Sequence, residues 1–203
     1  MNRGDPMDAG AIILAGGKSS RMGQNKALLP INGLANIERI KKQLATTFEE
    51  VILVTNDEAK YQFLNVPTVS DKVKNKGPLA GIQAGLMASS YDVNVFVACD
   101  MPFISVDLAQ VLVEQSEGFD AVVPVINGEQ HPLFAVYKKS VLAEVENCLR
   151  TNQLRIKNLL ERLNVNYVTE EHLLIKEIDN IQQVFYNMNH PSEYEEAKKL
   201  AEK

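Results

Sequence analysis

An apolar run, Ile12-Ile13-Leu14, empties directly into Ala15-Gly16-Gly17-Lys18-Ser19-Ser20-Arg21-Met22-Gly23-Gln24-Asn25-Lys26. A strand that ends in paired glycines can turn sharply, and the small residues after it let backbone N–H groups approach a ligand closely. Lys18, Arg21 and Lys26 stand in this stretch, and no Asp or Glu occurs from Ala9 to Ile37. The chain as a whole nevertheless has a formal net charge of -5. A local cationic, glycine-rich loop on an acidic protein suits a small polyanion such as a nucleoside triphosphate.

Two familiar phosphate loops are excluded by inspection. A Walker A loop ending in Gly17-Lys18-Ser19 requires glycine where Ile12 stands. The dinucleotide pattern G-x-G-x-x-G fails because the glycines fall at 16, 17 and 23. The acidic balance, with no basic stripe, argues against nucleic acid as a partner. No stretch approaches the roughly 18 apolar residues of a membrane span. Residues 1–10 lack the apolar core of a signal peptide and read as a disordered leader, with Met7 a second candidate start. Cys99 and Cys148 have no metal-type spacing and read as reduced thiols of a cytoplasmic protein.

Apolar runs alternate with helical patterns along the remainder. Strands are expected at 11–14, 51–55, 66–69, 93–99, 121–125, 133–137 and 165–168, several of them β-branched and continuously apolar, as in a sheet covered on both faces. Helical faces are formed by Ile37, Ile40, Leu44 and Phe48; by Leu108, Val111, Leu112 and Gln115; by Leu142, Val145 and Leu149; and by Ile156, Leu159, Leu160 and Leu163. Val184-Phe185-Tyr186 reads as an edge strand. Ser192 with Glu195 reads as a capping box that opens a last helix reaching about Ala201. The alternation predicts a single three-layer, Rossmann-like α/β domain over 11–203 with a largely parallel central sheet. In such a sheet ligands gather at the carboxyl ends of the strands. The glycine loop, Asn56, Asp71 and Asp100 follow the first four strands, so four loops converge on one crevice.

Leu14-Ala15-Gly16-Gly17-x-Ser-x-Arg21-Met-Gly-x-Asn-Lys26 resembles the N-terminal motif of the molybdenum cofactor guanylyltransferases. Gly77-Pro78-Leu79-Ala80-Gly81, Cys99-Asp100-Met101-Pro102 and Asn187-Met188-Asn189 followed by Pro191 match further family segments in order, so the likeness spans roughly residues 11 to 200. It implies a fold of the nucleotide-diphospho-sugar transferase type and GMP transfer from GTP to molybdopterin or Mo-molybdopterin, with release of pyrophosphate. It also implies passing contact with cofactor-synthesis proteins and recipient molybdoenzymes. By this likeness Leu14, Ala15, Gly16, Gly17, Lys26, Asn56, Asp71, Gly77, Pro78, Leu79 and Asp100 bind the nucleotide, while Arg21, Lys26 and Asp100 serve catalysis.

Asp100 closes an apolar strand, where one carboxylate with phosphates and water can hold Mg²⁺, and the family places its magnesium ligand there. Asp71 precedes Lys72, Lys74 and Lys76 in a charged loop. If 187–189 is extended, Asn187 and Asn189 point to one side and can meet a second substrate. His131 has no carboxylate partner by sequence and is assigned to the second substrate's groove or to packing. The chain departs from the family at His190, usually Thr, and at Gly33-Leu34-Ala35-Asn36, usually Gly-Lys-Pro-Leu. Gly16-Gly17 follows the guanylyl pattern where cytidylyl relatives carry Ala-Gly. Cytidylyl transfer, sugar-phosphate nucleotidyl transfer and a non-catalytic nucleotide carrier are the alternatives.

Overall fold

The computed structural model describes residues 7–16, 25–71, 76–175, 178 and 180–202. The strands are β1 (Gly10–Leu14), β2 (Pro30–Ile31), β3 (Leu34–Ala35), β4 (Val51–Val54), β5 (Thr68–Val69), β6 (Val93–Ala98), β7 (Ala121–Ile126), β8 (Glu129–Gln130), β9 (Phe134–Lys138) and β10 (Val165–Thr169). The helices are α1 (Asn36–Leu44), α2 (Pro78–Ala88), α3 (Val106–Glu114), α4 (Leu142–Arg150), α5 (Ile156–Leu160), α6 (Glu170–Ile175), α7 (Ile181–Val184) and α8 (Pro191–Ala201). The seven strands expected between residues 11 and 168 are present, with ends shifted by up to two residues. Met7 donates its backbone N–H to Thr47, and Ala9 and Gly10 are buried, so order begins ahead of residue 11.

The main sheet runs β10-β7-β9-β6-β1-β4-β5, with β8 paired to β7. Pairings β1–β4, β1–β6, β4–β5 and β7–β10 are parallel, and β9 runs against both of its neighbours. The reversal of β9 brings its first residue to the same edge as the last residues of β6, since Phe134 lies opposite Val97.

Strand alternation sends Ala11, Ile13, Leu53, Val95 and Val97 into one core with α1, α3, α6 and α7. Ile12, Ile52, Val54 and Phe96 enter the opposite core with α2, α4 and α5. Three layers result, as the continuously apolar strands require. Helix α2 lies unusually close to the sheet because a Cβ on Gly85 would stand 2.7 Å from Ile12 Cγ2 and 3.0 Å from Phe96 Cε1. No helix among the described residues is long and apolar enough to cross a membrane.

Two local expectations change. Val184 is the last residue of α7 and Phe185 its C-cap, so 184–186 is not a strand. Ile181, Val184 and Phe185 are spaced by three and four residues and are buried in one core, a helical period that the short β-rich tripeptide concealed. Helix α8 starts two residues earlier than the Ser192–Glu195 pattern implies, with His190 as its N-cap. Pro191 occupies the first turn, where its fixed φ is favourable, and Glu193 receives the His190 N–H at 2.8 Å. Glu195 instead pairs with Lys198 at 2.7 Å.

Candidate active site

The parallel register lines up strand ends. Leu14 lies beside Val54 on one side and Ala98 on the other, and Val54 lies beside Val69. Backbone bonds carry the alignment one residue further: Ala15 N–H donates to Val54 O and Thr55 N–H to Val69 O, both at 2.9 Å, while Cys99 N–H donates to Leu14 O at 3.1 Å. Asp71, Asn56, Gly16 and Asp100 therefore stand in that order just past the carboxyl edge. Three strand spacings separate the ends of this row, about 14 Å. One metal cannot bridge Asp71 and Asp100, but an extended ligand can touch both.

At the β5 end, Asn56 Nδ2 donates to Asp71 Oδ1 at 3.0 Å. Helix α2 begins nearby: Gly77 takes φ +66° at its N-cap, and Pro78 occupies the first turn. This terminus offers backbone N–H groups to an anion. The Leu79 side chain itself is fully buried in the core under α2. Lys76 is committed to Asn152 Oδ1 at 2.7 Å. Gly17, Lys18, Arg21, Lys72 and Lys74 lie outside the described residues.

Lys26 opens a 3-10 turn over 26–28. Asn25 caps that turn, accepting Ala27 N–H at 3.1 Å and donating Nδ2 to the hydroxyl of buried Tyr61 at 2.8 Å. Held this way, Lys26 Nζ donates to Asn189 Oδ1 at 2.7 Å and stands 3.8 Å from Asp100 Oδ2. The Lys26 and Asp100 side chains are 17% and 27% exposed. Burial pushes the Asp100 carboxyl above the usual carboxylate range, an effect that nearby Lys26 only partly offsets. Burial also pushes the neighbouring Cys99 thiol up to about 12, which leaves it a protonated, unreactive packing group.

Asn187 and Asn189 do not act as a pair. Asn187 Nδ2 turns back to Phe185 O at 3.1 Å, whereas Asn189 reaches Lys26. Their segment is tied to the site through Met188 N–H, which donates to Asp100 O at 3.0 Å. Glu193 then accepts the backbone N–H groups of both Asn189 and His190. Helix α8 is fastened in turn to the β2–β3 hairpin, through Tyr194 Oη to Pro30 O and Asn32 Nδ2 to Ala201 O, both at 2.7 Å.

His131 belongs to the same edge because Leu133 O accepts Ala98 N–H at 2.9 Å. Its ring stacks on Phe185 with centroids 4.1 Å apart, and burial holds its pKa below the ordinary histidine value. The stacked imidazole thus packs as a flat ring against Phe185. The site thus has two sides: Gly16, Asn56, Asp71 and the start of α2 on one, and His131, Phe185 and Asn189 on the other. Asp100 and Lys26 stand at the seam.

Sequence reasoning did not single out Tyr61, Phe185, Asn36 or Glu193. Only Glu193 carried a local signal, two residues after Pro191 at a helix start. Among the described residues no group of three or more His, Cys, Asp or Glu could hold a metal. A single carboxylate nevertheless fits Mg²⁺, which keeps several waters and takes its other ligands from substrate phosphates. Asp100 suits this role electrostatically, since its buried charge is only partly compensated by Lys26.

The sequence pattern of the MobA-like NTP transferase domain matches residues 11–167. A probable molybdenum cofactor guanylyltransferase of Pelotomaculum thermopropionicum is 40% identical over 196 residues, covering 97% of this chain and 95% of its own. The crystal structure of molybdopterin-guanine dinucleotide biosynthesis protein A from Archaeoglobus fulgidus superposes with a TM-score of 0.81 at 27% identity, over 95% of this chain and 98% of that one. At 16% identity, 2-C-methyl-D-erythritol 4-phosphate cytidylyltransferase from Thermus thermophilus shares the fold, with a TM-score of 0.69 over 97% of this chain and 100% of its own. The matched pattern and the relative's 40% identity over nearly the whole chain agree, and the chain belongs to the MobA-like family of nucleotidyltransferases.

Proposed function

We propose that this nucleotidyltransferase moves GMP from GTP to the terminal phosphate of molybdopterin or Mo-molybdopterin, forming molybdopterin guanine dinucleotide and pyrophosphate. The observation that carries the reading is the seam itself: Lys26 touches Asn189 and approaches Asp100 where the two sides of the edge meet. The names borne by the relatives support the choice of guanylyl transfer.

The nucleotide lies across Gly16 and Asn56 toward Asp71, and the pterin lies toward His131 and Asn189. A phosphate oxygen of the pterin forms a bond to the α-phosphorus, and the bond from that phosphorus to the bridging oxygen of the β-phosphate breaks in line. The attacking phosphate is already anionic, so no strong general base is required, and neutral His131 is spared that role. Lys26, together with Arg21, offsets charge on the triphosphate and on the departing pyrophosphate. Asp100 would hold Mg²⁺, which when bound neutralises phosphate charge. The remaining work is alignment of two mutually repelling anions. Delivery of the product entails passing contact with recipient molybdoenzymes.

Pyrophosphate release with Mg²⁺, molybdopterin and either GTP or CTP tests the reading. Release with GTP alone is expected. Release with CTP alone would move the chain to cytidylyl transfer, and silence with both would overturn transfer to the pterin.

A further inference from the structure

Asn36 is the first residue of α1 and is fully buried. Its Nδ2 donates to Cys99 O at 2.8 Å, while its Oδ1 is buried without a partner. A buried oxygen with no partner forfeits its hydration for nothing in return, so this side chain is a poor choice for packing alone. The bond it makes falls on the peptide immediately before Asp100.

Two peptide planes flank the Asp100 α-carbon, and together they set where its carboxylate points. The plane after it is held by Met188 N–H on Asp100 O at 3.0 Å and by Met101 N–H on Ala98 O at 3.4 Å. The plane before it is held by Asn36 on Cys99 O. Cys99 N–H on Leu14 O, at 3.1 Å, anchors the strand end but does not orient that carbonyl. Asn36 is itself immobilised, since its backbone N–H donates to Leu29 O at 3.0 Å and Ile37 beside it is fully buried.

We propose that in this chain, where asparagine stands in place of the family's usual leucine, Asn36 is a positioning residue which fixes the Cys99–Asp100 peptide and so aims the Asp100 carboxylate at the seam. The proposal rests on the reading that Asp100 acts in nucleotidyl transfer. A helix-packing role alone predicts that activity follows stability; a positioning role predicts that the two separate.

Asn36→Leu and Asn36→Ala distinguish these roles. Leucine removes the donor together with the unpaired oxygen at similar volume, so its melting temperature should stay near that of the parent. Alanine leaves a cavity and should melt lower. Both should lose about ten- to a hundredfold in kcat through misplacement of Asp100. The KM for GTP should stay within about twofold.

A function-independent readout is the Met188 amide, which bonds the same segment. Its hydrogen exchange should accelerate about tenfold or more in both variants, while Val95 and Val97 in the leucine variant keep their rates. Unchanged Met188 exchange in the leucine variant overturns the proposal. So does wild-type turnover there, or activity loss confined to the less stable alanine variant. Should the parent protein release no pyrophosphate with either nucleotide, the functional reading fails, and amide exchange still decides the role of Asn36.

Discussion

Each edge of the sheet carries a partly buried carboxylate, and the two have opposite fates. At the amino edge Glu50 precedes β4 and ties the start of that strand to the turn before β6. Its carboxylate accepts Ser89 Oγ at 2.5 Å, Ser90 Oγ at 2.7 Å and Ser90 N–H at 3.1 Å. Burial alone would raise its pKa, but the hydrogen bonds from Ser89 and Ser90 outweigh that and bring it below the ordinary value of 4.5. At the carboxyl edge, among the described residues, one cation stands 3.8 Å from Asp100, and burial wins. A carboxylate saturated with donors is a staple. One whose burial outweighs its described partners is the kind that the proposed function uses to hold a cation, and this difference sets the two edges apart.

The contrast breaks first at Asp100. Asp100→Ala should lower turnover by on the order of 10²–10³ while leaving the thermal melt intact, whereas near-normal turnover would make both edges structural. Lys26→Met should follow at about 10², since it removes one preorganised cation from the phosphates. At the other edge, Glu50→Gln should leave kcat unchanged and cost about 1 kcal/mol in denaturant unfolding.

The pH sign sharpens this last test. A depressed folded-state pKa means that Glu50 stabilises the fold above about pH 4.5, and that this contribution fades as pH falls through the folded-state value. The gap between parent and Glu50→Gln should therefore be full at neutral pH and close in acid. Smallest of all, His131→Ala should lose the Phe185 stack, about 0.5–1.5 kcal/mol, and raise the KM for the pterin more than that for GTP. An equal rise in both would dissolve the distinction between the site's two sides.

The placement of the first side's residues at one edge was legible because parallel strands deliver successive loops there in chain order. Gly16, Asn56, Asp71 and Asp100 needed only that rule. The other side was less so. Its strand β9 is reversed, and Asn189 meets Lys26 across 163 positions, a pairing no local pattern encodes. Val184-Phe185-Tyr186 suggested a strand by composition, yet burial at a helical period prevailed. The hairpins β2–β3 and β7–β8 were passed over although Asn32-Gly33 and Asn127-Gly128 both take the positive φ values of a tight two-residue turn. Each flanking run pairs over only two residues, too few for alternation to register.

The fastening of α8 to the β2–β3 hairpin has a temporal consequence. Pro30 waits for Tyr194 while 164 positions are traversed, and Lys26 waits for Asn189 over 163. At roughly 5–20 residues per second, the intervening stretch takes about 8–30 s to emerge. During that interval the strands of the nucleotide edge can pair while the seam has no second wall. The seam described above is thus completed late, when α8 docks on the hairpin.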